Sequence, residues 1–179
     1  MPETILLRCK ADESFIAHII TQKFIDHLPL YRISEILQRG DIHISRKVLS
    51  RWVCQVAENL RPLHEALNKK ELAAQNIFAD ETPLAMLKPG NQKVHQGYMW
   101  TIAGGINGNP EDRVYHFRTS REHKHIQGLL KGYRGNLHSD KYGSYEKLAK
   151  GSGITWIPCY SHIRRKFFEA RPSIMDPKN

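Results

Sequence analysis

Two aspartates have the residue type and the setting that suit phosphodiester chemistry. Asp80 lies among apolar neighbours that include Ile77 and Phe78, and Asp140 follows Leu137 closely. If both stretches form adjacent strands, two carboxylates face one place, where their repulsion favours a bound cation. Carboxylate oxygens suit Mg²⁺ or Mn²⁺, and a pair of such ions catalyses phosphodiester cleavage and joining. The alternative is that both aspartates are ordinary strand-end or turn residues.

Strands must position these aspartates, and the sequence predicts them. Residues 76–87, 97–104 and 113–118 read as three strands with short connections, which favours an antiparallel meander. Next come a helix from Ser120 to about Leu130, a strand over 136–140, a helix over 145–150, a strand over 154–160 and a helix over 162–170. This is the order of a ribonuclease-H-like fold, in which the first and fourth strands are adjacent. Side chains alternate along a strand, so Glu81 is expected to face away from Asp80 and to be structural.

The N-terminal part predicts three helices. Asp12 or Ser14 caps the first, the second covers residues 30–39 and ends at a left-handed Gly40, and Ser45 caps the third. Two amphipathic helices around a short turn are typical of a helix-turn-helix. The outward face of the third helix would meet DNA bases or phosphates through Arg46, Lys47, Ser50, Arg51 and Gln55. A plain helical hairpin with a solvated basic face is the alternative.

Three further groups have both a functional and a plain interpretation. The final helix carries a basic cluster that suits phosphates but is equally a solvated face: His162, Arg164, Arg165 and Lys166. Cys159 and His162 are too few for a zinc site, which favours a buried strand-end thiol. The aromatic residues that could stack on bases, or simply pack the sheet, are Tyr98, Trp100 and Tyr142.

Composition restricts the partners and the compartment. Lys and Arg exceed Asp and Glu by 27 to 18, an excess that favours a polyanion, although a basic surface without a partner is equally consistent. The sequence lacks a long apolar run, so nucleic acid is a better candidate than a membrane. Hydrophobic residues make up 40%, which excludes global disorder. Three widely spaced cysteines and the absence of a signal-peptide pattern favour the reducing cytoplasm.

Six stretches together resemble the transposases of the Insertion Sequence 66 family. They occur in the family's order, from about Phe15 to Ala170: HLPLYRISEIL, ISRKVLSRWV, ADETPLAML, QGYMWTIAGG, GNLHSDKYGSYEKL and CYSHIRRKFFEA. The resemblance implies a bacterial, nucleoid-associated DDE transposase that acts on transposon terminal repeats and target DNA, possibly as a homo-oligomer. Asp80 matches the family's first catalytic Asp, and Asp140 matches the second, in an Asp-x-Tyr-x-x-Tyr motif.

The resemblance also marks what the sequence does not contain. The family's third carboxylate belongs to an Asn-rich motif that is absent, and Glu169 lies too early to replace it. The cysteine-rich zinc segment is absent too, so no zinc is expected. Tyr160-Ser161 stands where the family tends to have Trp-Ala. We therefore expect a truncated transposase that holds two Mg²⁺ or Mn²⁺ ions only when intact and is inactive alone.

The expected fold class is α/β. A helix-turn-helix segment covers residues 12–58, a helical connector 59–75, an incomplete ribonuclease-H-like mixed sheet 76–171 and a tail 172–179. Three other interpretations remain open: a non-catalytic DNA-binding remnant, a ribonuclease-H-like nuclease that acts alone, and a product that does not fold stably.

Overall fold

The computed structural model describes Leu6, Cys9 and residues 11–87, 93–106, 109–110 and 112–170. The chain divides into two compact units, Met1–His64 and Glu65–Asn179. Within the described ranges the protein is mixed α/β, with seven helices and one mixed sheet. None of the described helices has the length and apolar character needed to cross a bilayer. The predicted tail over 172–179 lies outside the described residues.

The first unit is built from three helices around one apolar core. These are α1 (Glu13–Phe24), α2 (Leu30–Arg39) and α3 (Arg46–Asn59). Each helix repeats apolar residues at a spacing of three or four, which places them on one face. The buried residues are Leu6, Ile16, Ile19, Ile33, Leu37, Leu49 and Trp52. A fourth helix, α4 (Arg61–Leu72), begins four residues before the boundary between the units and tolerates Pro62 in its first turn.

Side-chain caps begin two of these helices where the sequence predicted them. The Asp12 carboxylate accepts from the Ser14 N–H, and the Ser45 hydroxyl accepts from the Val48 N–H. The expected left-handed Gly40 is wrong, because its φ is −94° and the following Asp41 has a φ of 59°. The chain reverses one residue later than predicted, since a short polar Asp tolerates the left-handed region.

The second unit contains one mixed sheet. Its strands are β1 (Asn76–Leu87), β2 (Val94–Ile106), β3 (Asn109–Pro110), β4 (Val114–Arg118), β5 (Gly135–Ser139) and β6 (Ile154–Pro158). The central strand β1 pairs antiparallel with β2 and parallel with β5, and β5 pairs parallel with β6. The other edge of β2 pairs with both β3 and β4. The expected antiparallel meander is therefore present as β1, β2 and β4.

The helices α5 (His123–Leu129) and α6 (Gly143–Ala149) contribute to the core of this unit, and α7 (Tyr160–Glu169) follows β6. The buried core residues include Ile77, Trp100, Ile126, Leu137, Tyr145 and Leu148. The prediction that Ser120 caps this helix is wrong, because α5 begins only at His123 and the Ser120 hydroxyl hydrogen-bonds the side chains of Glu122 and His125. The fourth strand of the expected order, β5, ends at Ser139, so Asp140 follows it directly.

The last turn of α4 contacts β2 closely. The buried Glu71 carboxylate accepts from the Gly104 N–H. A Cβ at Gly104 would lie 2.7 Å from the Glu71 carbonyl oxygen and 2.9 Å from the Ala74 Cβ. Glycine is therefore required at this position by the close approach of the helix to the strand.

The turn between α2 and α3 gives the first testable prediction. Gly40→Ala should raise the free energy of unfolding by about 0.4–1 kcal/mol, because its φ of −94° accepts a Cβ and Ala restricts the unfolded chain. Asp41→Ala should lower it by about 1 kcal/mol, because Ala is strained at a positive φ. Urea unfolding followed by circular dichroism measures both values. A larger loss in Gly40→Ala than in Asp41→Ala would contradict this turn geometry.

Candidate functional site

Asp80 and Asp140 line one open groove of about 490 Å³ on the second unit. Along β1 the residues Ala79 and Glu81 are buried, and Asp80 between them is exposed on the opposite face. On that face Phe78 of β1 lies opposite His138 of β5, with their rings stacked at 4.7 Å. Asp80 comes two residues after Phe78 in β1, and Asp140 comes two residues after His138, directly beyond the end of β5. The parallel pairing therefore brings the two predicted carboxylates to the same groove.

The Asp140 carboxylate is held from two sides. Its Oδ1 accepts from the Tyr142 N–H at 2.9 Å, which fixes the turn into α6. Its Oδ2 lies 3.5 Å from an Nη2 of Arg121, in the segment before α5. The side chain remains 27% exposed. Asp140 is thus oriented by its neighbours and still open to the groove.

Glu81 is buried beneath the groove and paired. Its side chain is 1% exposed, and its Oε1 accepts from the Arg121 Nε at 2.5 Å. The Tyr145 hydroxyl donates to the other carboxylate oxygen. Burial raises the pKa of Glu81, although the hydrogen bonds from Tyr145 and Arg121 act in the opposite direction. Glu81 therefore faces away from Asp80, as predicted, and joins a polar network inside the core.

Arg121 links this buried network to the groove. Burial acts to lower the pKa of Arg121, but Glu81 and Asp140 outweigh it and raise the pKa. The guanidinium lies 3.8 Å from the centre of the Tyr142 ring, and the Tyr142 hydroxyl donates to the Arg121 carbonyl oxygen at 2.6 Å. Burial, followed by the Glu81 charge, also raises the pKa of Tyr145. We did not identify Arg121 from the sequence.

The aromatic residues proposed for base stacking serve the core instead. Trp100 is completely buried, and Tyr98 packs against the same cluster. The face of Tyr142 is covered by Arg121. These positions agree with the packing alternative rather than with contacts to bases.

The groove provides two of the carboxylate ligands that a divalent ion needs. Asp80 and Asp140 supply hard carboxylate oxygens, which suit Mg²⁺ or Mn²⁺. Among the residues that the structure describes, no group of three His, Cys, Asp or Glu side chains is placed to hold a metal. Cys159, which is half-buried at the start of α7 rather than fully buried as expected, also lines the groove with His162. The two aspartates therefore account for part of a ligand set.

The predicted DNA-contacting residues are exposed on two helices. Those of α3 are Arg46, Lys47, Ser50 and Arg51, and Gln55 on the same helix is half-buried. Those of α7 are Arg164, Arg165 and Lys166. Arg165 and Lys166 also line a second groove of about 380 Å³ that includes Asp140. The residues of each helix are thus accessible to a polyanion.

The sequence profile described as "Transposase IS66 family" matches residues 8–176. The chain belongs to this family. The resemblance recognised from the six sequence stretches is therefore confirmed. The match extends over nearly the whole chain and includes both Asp80 and Asp140.

Curated relatives and a solved structure give the wider context. Three uncharacterized proteins of Sinorhizobium fredii (strain NBRC 101917 / NGR234) are similar: y4qI (32% identical over 170 residues, 88% of this chain and 31% of the relative), y4jD (31%, 89% and 33%) and y4hP (31%, 87% and 29%). The chain thus spans about a third of the length of these relatives. The Drosophila P element transposase strand transfer complex aligns with a TM-score of 0.49 at 14% identity, over 91% of this chain and 45% of that one.

The buried ion pair gives the second prediction. Arg121→Met should lower the free energy of unfolding by about 2 kcal/mol, because it leaves the buried Glu81 carboxylate without its cation and with only the Tyr145 hydroxyl as a donor. The expected loss is smaller than the loss of about 3–5 kcal/mol that is typical of a fully buried ion pair, because the Arg121 side chain is 37% exposed. Adding Glu81→Gln should recover most of the loss, since the amide is neutral. Urea unfolding measures the three variants.

Arg118→Met is the matched control for this prediction. Arg118 donates to the Phe117 carbonyl oxygen rather than to a buried carboxylate. Its removal should cost less than about 0.5 kcal/mol. Equal losses in Arg118→Met and Arg121→Met, or no recovery with Glu81→Gln, would show that the ion pair does not stabilise this unit.

Proposed function

We propose that this chain is part of a DDE transposase that cleaves transposon ends and transfers them to target DNA, with Asp80 and Asp140 as catalytic carboxylates. The single observation that carries the proposal is that two adjacent parallel strands present both aspartates to one groove. Membership of the IS66 family gives this pair its chemical meaning. The proposed partners are the terminal repeats and target DNA in a bacterial cytoplasm, with DNA of the nucleoid as the working environment.

The strand order supports a ribonuclease-H-like core for this chemistry. The antiparallel meander is followed along the chain by the parallel strands β5 and β6. In the sheet, β1 lies between β2 and β5, which are the second and fourth strands of the expected order. The last pair between β1 and β5 is Phe78 with His138, and Asp80 and Asp140 each lie two residues beyond that pair. We propose residues 76–171 as this core, and residues 59–75 as the connector that precedes it.

The residues at the groove have two kinds of role: two aspartates would hold the ions, and their neighbours orient the aspartates. Two divalent ions, when bound, would supply activation of the attacking hydroxyl and stabilisation of the leaving oxygen. Asp80 and Asp140 would hold them from neighbouring strands. Arg121 and the Tyr142 N–H orient Asp140, while the buried Glu81 fixes the strand segment that presents Asp80. Orientation by surrounding groups is what a preorganised site requires.

The first unit supports a role in recognising DNA ends. Its α2 and α3 are joined by a short turn around Gly40 and Asp41, and the Ser34 hydroxyl donates to the Ile44 carbonyl oxygen at 2.7 Å across that turn. We propose that residues 12–58 form a helix-turn-helix and that the exposed start of α3 enters the major groove. Paired transposon ends would be handled by a homo-oligomer of the intact protein.

A non-catalytic DNA-binding role is the second candidate, and one observation favours it. Both Asp140 oxygens already have partners, and the described residues provide no third carboxylate at the groove. A chain with this ligand set would bind DNA and leave it uncut. Salt-dependent DNA binding that survives Asp80→Asn and Asp140→Asn, together with unchanged transposition by a full-length relative that carries Asn at both aligned positions, would favour this candidate.

Metal binding gives the third prediction. The chain should bind Mn²⁺ weakly, and Asp80→Asn or Asp140→Asn should each abolish most of that binding, because each removes one of the two carboxylate ligands. Electron paramagnetic resonance of free Mn²⁺ measures the effect. The control is Asp26→Asn, an exposed carboxylate on the first unit. If all variants bind Mn²⁺ equally, the two aspartates are not its ligands.

Cleavage gives the fourth prediction. With Mg²⁺ or Mn²⁺ and DNA carrying the ends of a family element, the chain alone should bind and not cut, because it supplies two carboxylates where the reaction needs more. In a full-length relative, Asn at the position aligned with either Asp80 or Asp140 should lower transposition at least about a hundredfold. Strand cleavage by the chain alone would refute the first expectation, and an active relative with Asn at those positions would refute the proposed function.

A further inference from the structure

A second groove lies beside the carboxylate groove and is dominated by positive charge. It has a volume of about 380 Å³, and three of its lining residues are the cations Lys141, Arg165 and Lys166. Lys141 follows Asp140 directly, whereas the other two come from α7. One acidic residue of α7, Glu169, also lines it. We call this the basic groove.

The three cations of the basic groove, Lys141, Arg165 and Lys166, are exposed, and the ion pairs of the described residues do not include them. Arg121 also lines the groove, but its guanidinium is committed to Glu81 and Asp140. Three exposed cations against one exposed Glu leave an excess that suits an anionic ligand.

The basic groove adjoins the carboxylate groove. Asp140 and His162 line both of them. A linear polyanion that places one phosphodiester beside Asp80 and Asp140 can therefore continue past Asp140 into the basic groove. Resting on the proposed function, we propose that the basic groove binds the phosphates of the DNA strand that flank the reacting phosphodiester, through Lys141, Arg165 and Lys166.

The geometry of α7 separates two neighbouring arginines that the sequence presents as one cluster. Successive residues of a helix are about 100° apart around its axis. His162, Arg165, Lys166 and Glu169 line the basic groove, whereas the lining does not include the exposed Arg164. Arg164 and Arg165 thus carry the same charge on the same helix, but only Arg165 borders the groove. This pair is a matched comparison within the protein.

The cations also offset a repulsion that the carboxylates create. Before any divalent ion is bound, Asp80 and Asp140 repel the phosphates of an approaching strand. Cations that sit beside Asp140, rather than at a distance, counteract that repulsion where it is strongest. The basic groove would therefore hold a strand near the aspartates even in metal-free buffer, which allows binding to be measured without the reaction.

Fluorescence anisotropy of the full chain tests this assignment. A short labelled DNA duplex of arbitrary sequence is titrated in EDTA over a range of NaCl concentrations. Lys141→Ala, Arg165→Ala and Lys166→Ala should each weaken binding about fivefold to tenfold at low salt. Each should also reduce the slope of log affinity against log salt by about 1. Arg164→Ala should change the affinity by less than about twofold, because Arg164 does not line the basic groove and projects from another face of α7.

Variants of α3 separate this proposal from the function on which it rests. In an Arg46→Ala/Arg51→Ala background, the same fold-changes from the groove variants should persist, because α3 and α7 belong to different compact units and we expect their substitutions to act additively. Arg164→Ala weakening binding as much as Arg165→Ala, or groove variants binding like the unaltered chain, would overturn the basic groove while DNA remained the partner. Failure of the unaltered chain to bind DNA at low salt would overturn both proposals.

Discussion

The ion pair between Glu81 and Arg121 is the interaction on which the geometry of the site depends. It is buried on the Glu81 side, and it joins the central strand to the segment before α5. Because neighbouring residues of a strand point to opposite faces, holding Glu81 inside the core holds Asp80 on the open face. The same guanidinium reaches Asp140. One buried contact thus positions one aspartate through the backbone and the other through a side chain.

Parallel pairing of β1 with β5 contributes the second constraint. Its register places Phe78 opposite His138, and a slip by one residue would turn one of the aspartates into the core. The apolar residues on the buried face, such as Ile77 and Leu137, make that slip costly. The hydrophobic core therefore fixes the register of β1 against β5, and this register determines where the two carboxylates lie.

Local signals in the sequence were sufficient for much of the fold. Asp12 and Ser45 cap their helices because a cap needs only a short side chain and the following turn. The alternation of apolar residues along β1 was enough to separate Asp80 from Glu81. The prediction that Asp80 and Asp140 lie at one site needed one additional assumption, that the first and fourth strands are adjacent. The order of the strands along the chain supplied that assumption.

The features that the sequence did not reveal depend on distant contacts or on fine backbone geometry. Arg121 is a single basic residue outside any periodic pattern, and its role arises from contacts with residues 19 and 40 positions away. Gly40 and Asp41 are adjacent residues that both suit a turn, so composition alone did not determine which adopts the positive φ. Arg164 and Arg165 differ only in the face of α7 from which they project.

The close approach of Glu71 to Gly104 has a consequence for how the chain can vary in length. The final turn of α4 is locked against β2 by a buried carboxylate and by a glycine that admits no side chain. Inserting or deleting a residue between Glu71 and β1 would shift the strand against this anchor and displace its whole alternating pattern. Insertions and deletions among natural sequences should accordingly occur before Glu71, in the exposed turns of α4, rather than between Glu71 and β1.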